Sequence, residues 1–265
     1  MSSSIKPIFL LADSQLLFWR DEEGRRFLDR ARELIAADAP EKQPKAAYLG
    51  ASNGDAPEFY ELFVSAMAEA GITDCRQIPS APAEEDYAFL EQADLILLAG
   101  GDVRRGWDVF VRTGLKDKLA ARYYAGALMM GVSAGAVQLG VKGWDEDSSE
   151  FFNTLSLVPF VVDVHDEPSW SRLAAAVAKA GEHARGFGIP SGGGALYHAD
   201  YSVEPVRNPL TEIELTENGP RQALIMPGEG HAVEPAESGS QVMSQEEILE
   251  RALRDLDADP DESVH

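Results

Sequence analysis

The sequence predicts an α/β fold of three layers: a mostly parallel sheet flanked by helices, with a small antiparallel section near the C-terminus. Three observations carry this. Short apolar runs of strand length alternate with longer stretches whose apolar residues recur at helical spacing. Turn residues rich in Gly, Asn and Asp separate them. Residues 94–99 (DLILLA) and 126–132 (GALMMGV) are continuous apolar runs, as in strands buried on both faces of a parallel sheet.

Taken in order, residues 5–12 (IKPIFLLA) form the first strand, and residues 22–37 place Phe27, Leu28, Ala31, Leu34 and Ile35 on one helical face. Residues 45–51 (KAAYLGA) are a strand ending in the turn Ser52-Asn53-Gly54-Asp55. Pro57 opens a helix over 58–70, which Gly71 stops. Residues 74–78 add a strand, and Gly100-Gly101-Asp102 ends the run at 94–99 before a helix bearing Trp107, Phe110 and Val111. The strand at 126–132 leads into a helix from Ala134 to Leu139. Strand, turn and helix in repetition place helices on both faces of a parallel sheet.

Further on, residues 144–152 read as a polar, acidic loop, 157–164 as a strand ending at His165, and 169–180 as a helix. A strand at 185–189 precedes Ser191-Gly192-Gly193-Gly194, and segments near 195–198, 202–206, 212–215 and 223–226 form the antiparallel section. Residues 1–243 are expected to make one domain. An acidic helix and a polar tail of disordered composition follow over 244–265, the helix being a candidate homodimer contact.

The chain has 265 residues, of which 45% are hydrophobic, enough for one large core. No apolar run reaches the roughly 18 residues that would span a bilayer, and Asp13 breaks the apolar start before any cleavage site, so neither a membrane span nor a signal peptide is expected. A lone cysteine, Cys75, excludes an internal disulfide framework and fits a reducing cytoplasm. The net charge of −22 argues against nonspecific nucleic-acid binding, which needs basic patches. Histidines lack metal-ligand spacing.

Gly131-Val132-Ser133-Ala134-Gly135 stands between a buried strand and a helix. A tight turn there would expose the serine and aim the first helical N–H groups at the same space, with glycines two residues away on each side relieving the crowding. The same pentapeptide also suits an ordinary close-packed turn, and the spacing alone leaves both readings open.

GVSAGA at 131–136, with LILLAGGD at 95–102 before it and VVDVHDEPSWSRL at 161–173 after it, resembles the peptidase E and cyanophycinase family of serine peptidases. The similarity runs from about Pro44 to about Tyr197. It implies a flavodoxin-like fold related to class I glutamine amidotransferases. It also implies a Ser-His-acid hydrolase of short peptides, such as aspartyl or β-aspartyl dipeptides or a related modified peptide, with no metal or cofactor. Ser133 matches the nucleophile and His165 the general base; the backbone N–H groups of Gly101 and Ala134 match the oxyanion hole. The family's acid lies between serine and histidine, where this chain offers Asp145, Glu146, Asp147 and Glu150, with Glu150 placed ahead of Asp147.

Two positions depart from the family pattern. Gly188-Ile189-Pro190-Ser191 has Ser191 where an acid is usual, and Asp102 follows Gly101 where an amide is frequent. Asp102 would repel an acidic substrate group unless Arg104 or Arg105 offset it, so Asp102, Arg104 and Ser191 are candidate substrate contacts. A non-catalytic binding member of the same fold is an alternative. A third reading is an α/β-hydrolase esterase using Ser133 with His231 in the turn MPGEGH and Asp200 as acid.

Overall fold

A strand that is apolar on both faces needs helices on both sides, and the first half of the chain supplies them. The structure, a computed structural model, describes residues 5–38, 40–217 and 219–228 together with the backbone of 231–232. The first half runs β1 (Ile8–Leu11), α1 (Phe27–Asp38), β2 (Lys45–Leu49), α2 (Pro57–Glu69), β3 (Asp74–Ile78), α3 (Glu84–Leu90), β4 (Leu95–Leu98), α4 (Val103–Arg112), α5 (Leu115–Tyr124), β5 (Leu128–Val132) and α6 (Ala134–Leu139). The second half is β6 (Lys142–Trp144), β7 (Phe151–Asn153), β8 (Val161–Val164), α7 (Ser171–Ala180), β9 (Arg185–Ile189), β10 (Gly194–Tyr197), β11 (Ser202–Val206), β12 (Leu210–Thr216), β13 (Gly219–Ile225) and β14 (His231–Ala232).

The main sheet has the order β14-β11-β10-β1-β5-β4-β2-β3. Strands β1, β5, β4, β2 and β3 are parallel, and β10, β11 and β14 extend the sheet antiparallel from β1. Alternate residues bury against opposite helix layers, as the two-residue period of a strand requires. Ile8, Leu10, Ala47, Leu49, Ile96, Leu98 and Met129 pack with Trp107 and Phe110 of α4 and Leu119 of α5. Phe9, Leu11, Ala46, Tyr48, Leu95, Leu97, Leu128 and Met130 pack with Phe27 and Leu28 of α1 and Phe63 and Met67 of α2. The mostly parallel sheet with flanking helices is the predicted fold.

The second half holds more sheet than the sequence reading, because β13-β12-β9-β8 form a second sheet, antiparallel from β13 to β9 and parallel between β9 and β8. One face of that sheet joins the main core through Phe160 and Phe187, whose rings meet edge to face at 4.7 Å. The other carries α7, with Trp170, Leu173 and Val177 against Val161 and Ile213. Strand β8 starts later than expected because the residues before it terminate α6. The amides of Leu155, Ser156, Leu157 and Val158 donate to the carbonyls of Gln138, Gly140 and Leu139 at 2.8–3.1 Å, satisfying acceptors that a helix end leaves open. The acidic stretch at 144–152 is also more than a loop. β6 and β7 pair there, Trp144 buries against Val103, Ala134 and Val137, and only the tip is exposed. The helix expected near the C-terminus lies outside the described residues. Among the described residues no helix is long and apolar enough to cross a membrane.

Helix α1 is tied to the antiparallel edge by charge. Arg30 donates to both carboxylate oxygens of Glu204 at 2.7 and 2.9 Å, and His198 Nε2 lies 3.0 Å from the same group. The hydrogen bond from His198 and then that from Arg30 pull the Glu204 carboxyl down to about 2. A carboxyl whose pKa is lowered on folding stabilises the native state above its unfolded pKa, and that stability disappears as pH falls through the folded value. Glu204→Gln should therefore lower the denaturation midpoint at pH 7. In urea titrations the gap from the unsubstituted protein should close between the ordinary glutamate range and about 2.

Candidate active site

Strand β5 ends at Val132, and the chain turns at Ser133, with φ 49° and ψ −111°, directly into α6. This is a positive φ that L residues rarely adopt, and tertiary packing must hold it. Two glycines make the packing feasible. A Cβ on Gly131 would stand 2.6 Å from the Ala136 nitrogen, and one on Gly135 would stand 2.6 Å from the Leu98 carbonyl carbon. The Ser133 amide donates to the Leu11 carbonyl at 2.9 Å, and its carbonyl accepts from Ala136 at 2.9 Å and Val137 at 3.2 Å. The backbone is thereby fixed while the half-buried hydroxyl has no hydrogen bond among the described residues.

Beside it lies the Gly100-Gly101 turn that ends β4. A Cβ on Gly100 would fall 3.3 Å from Ser133 Cβ, and Gly101, at φ 132°, leaves no room for one because Asn53 N would lie at 2.8 Å. The Asp102 amide donates to the Ser52 carbonyl at 2.8 Å. Fully buried Gln138 of α6 donates from Nε2 to Ser52 Oγ at 3.1 Å and to the Val103 carbonyl at 2.9 Å. Ser52 and Gln138 thus lock the glycine turn against α6. The amides of Gly101 and Ala134, the expected oxyanion donors, meet no described acceptor.

His165 follows β8 at φ 63°, with its amide donating to the Ile189 carbonyl at 3.3 Å. Its Nδ1 lies 3.0 Å from Ser191 Oγ. The Ser191 turn joins β9 to β10, and Gly194 of β10 is in register with Leu11, which is in register with Val132. The turn therefore reaches the same sheet edge as Ser133, the edge where open α/β sheets place their sites. Four neighbours fasten it. Asp13 accepts from the Gly192 amide at 2.6 Å, Glu167 Oε1 accepts from the Ser191 amide at 3.1 Å, Asn208 donates to the Ser191 carbonyl at 3.0 Å and Arg207 to the Gly192 carbonyl at 3.3 Å.

The expected acids are elsewhere. Glu150 is two-thirds exposed and lies 3.9 Å from Arg104, while Asp147 sits in the hairpin tip with its amide donating to Asp145. Neither meets His165, because pairing of β6 with β7 carries the tip toward α4 and α7, where Glu146 lies 3.8 Å from Arg172. Asp163 and Asp166 also bond to Arg172 rather than to the histidine. Asp102 caps α4, accepting from the Arg105 amide at 2.6 Å. Arg104 pairs with Asp108 at 3.0 Å and lies over the Phe152 ring. Arg105 is exposed and has no ion pair among the described residues.

The rival constellation comes apart. The backbone of His231 pairs with Val203 at the far edge of the sheet, with β11, β10 and β1 between its strand and β5, and Asp200 accepts from Ser202 in a turn. Burial, and then Asp74, raise the Cys75 thiol to about 11, which keeps it protonated near neutrality. Sequence reasoning missed Ser52, Gln138, Asp13 and Glu167. Only two left a trace, Ser52 in the turn after the second strand and Asp13 as the residue that breaks the first apolar run.

Fold and site together define a flavodoxin-like α/β protein that presents a serine at the carboxyl edge of its sheet, beside a glycine turn with free amides. The model of peptidase family S51 matches residues 6–202, and the chain belongs to that family. It is 27% identical over 149 residues to peptidase E of Streptomyces coelicolor, a match covering 54% of this chain and 60% of that protein, less than two thirds of its length. The crystal structure of a peptidase from an acI-B1 Actinobacterium shares the fold, with a TM-score of 0.64 at 16% identity over 88% of this chain and 99% of that one.

Gly135→Ala should cost about 1–3 kcal/mol, typical of overpacking, because its methyl would press on the Leu98 carbonyl. Urea denaturation should show this loss. Gly114→Ala, where nothing lies within 4 Å, should cost less, its strain being confined to φ.

Proposed function

We propose that this chain is a serine peptidase acting on short peptides. Aspartyl or β-aspartyl dipeptides, or a related modified peptide, are the substrate class suggested by the family resemblance. The observation that carries the reading is the strained, glycine-flanked Ser133 with its unbonded hydroxyl beside the Gly100-Gly101 turn.

In this reading Ser133 Oγ attacks the scissile carbonyl while His165 Nε2 removes its proton. Nδ1 faces Ser191, which leaves Nε2 for the nucleophile. The oxyanion accepts hydrogen bonds from the Gly101 and Ala134 amides, donors made without reorganisation at the moment of reaction. The imidazolium returns the proton to the leaving amine, and water then cleaves the acyl-enzyme by the same path in reverse. Arg105, lacking an ion pair among the described residues and one helical turn from Gly101, supports binding of a substrate carboxylate; Asp102 and Arg104 are engaged within the protein.

The non-catalytic reading has one observation in its favour, Ser191 where the family carries an acid. A library of Asp-X, β-Asp-X and unrelated dipeptides separates the two. Hydrolysis of an acidic subset by the unsubstituted protein should fall roughly a thousandfold or more in Ser133→Ala, and Arg105→Ala should raise KM for that subset more than it lowers kcat. A protein that cleaves nothing and shows no Ser133-dependent fluorophosphonate labelling is a binding module.

A further inference from the structure

Ser191 brings a hydroxyl, not a carboxylate, to Nδ1 of His165. An imidazole that becomes an imidazolium needs an anion within reach, because a neutral hydroxyl orients the ring but offers little for its charge. Two acids follow His165 directly. Asp166 is occupied, accepting from the Arg172 amide at 3.1 Å. Glu167 instead turns back to the Ser191 turn, where Oε1 accepts the Ser191 amide at 3.1 Å. We infer that Glu167 is the carboxylate of this site and acts on His165 through the Ser191 hydroxyl, making a relay Ser133-His165-Ser191-Glu167 in place of a triad.

The proton balance is simple. When the Ser133 Oγ–carbon bond forms, the Ser133 proton passes to His165 Nε2. Nδ1–H remains on the ring and donates to Ser191 Oγ, whose own O–H donates to the Glu167 carboxylate; neither Ser191 nor Glu167 gains or loses a proton. Ser191 and Glu167 are positioning residues, since they act through the histidine. Burial works against the ionised form of Glu167, but the Ser191 amide and hydroxyl, with the charge of His165, hold its carboxyl below the usual glutamate range. The other charged groups around the turn are committed: Asp13 to the Gly192 amide, Arg207 to the Gly192 carbonyl, the Arg172 guanidinium to Asp163, and Asp166 to the Arg172 backbone amide. None of these contacts is made to the imidazole.

The inference rests on the hydrolytic reading for its consequence, but its test does not. The titration of His165, followed by carbon-13 NMR of the imidazole and assigned with His165→Gln, gives its pKa whether or not any peptide is cut. Glu167→Gln keeps an oxygen for the Ser191 amide and removes the charge. It should lower the His165 pKa by roughly half a unit and lower kcat/KM about threefold on the plateau above that pKa, where the ring starts neutral and must become charged, with little change on the low-pH limb. In a Ser191→Ala background the same substitution should move the pKa by less than half as much, since the connecting hydroxyl is gone. Ser191→Asp, which puts a carboxylate directly on Nδ1, should raise the pKa above that of the unsubstituted protein. No shift in Glu167→Gln, or one that persists at half or more of its size without Ser191, overturns the relay. A relay-like titration in a protein that hydrolyses no dipeptide overturns the peptidase reading and leaves the linkage standing.

Discussion

The close approach of the turns that end β4 and β5 is the constraint on which the rest of the site depends. Neighbouring strands lie about 4.8 Å apart, so a helix that starts at once from β5 must begin over the carbonyls that finish β4. Gly135 meets Leu98 there and Gly100 meets Ser133. Any Cβ at Gly135 would push α6 off the sheet. With glycine in place, the chain can turn within one residue, and Ser133 takes its positive φ as the geometric result. The Gly100-Gly101 turn lies alongside, held through Asp102 and Val103 by Ser52 and Gln138.

A second constraint comes from the antiparallel extension. Strand β10 pairs with β1 while β9 belongs to another sheet, so the Ser191 turn must cross between them at the active edge. Its fastening by Asp13, Glu167, Arg207 and Asn208 converts an exposed loop into a fixed platform for His165. The family's usual acid is absent from that platform, and the carboxylate that touches it from the histidine's own loop is Glu167, through the Ser191 amide.

Much of this was legible in the sequence, for identifiable reasons. Strands such as 94–99 and 126–132 show continuous apolarity because both faces are covered, and the turns after them carry glycine because the backbones touch. Ser133, Gly101 and His165 stood just after such runs, and the structure places them in the turns that follow β5, β4 and β8. The third partner of the histidine was not legible. The acids at 145–150 looked suitable by position along the chain, but β6 and β7 pair and carry them outward. Glu167 gave no sign, since the role proposed for it depends on where β9 and β10 bring Ser191. Gln138 was hidden for the opposite reason: an amide within an apolar helix shows its purpose only when the carbonyl and hydroxyl it bridges are in place.

The strained backbone at Ser133 has a consequence for how the protein would fail. A conformation costing about 1–3 kcal/mol persists only while Leu11, Leu98 and α6 press on it from three directions. Loosening any of those supports lets the turn relax toward ordinary angles long before the sheet itself comes apart. Under the proposed hydrolysis, turnover becomes a gauge of core packing, and its decline on warming would report local slackening while spectroscopic measures of the fold still look intact.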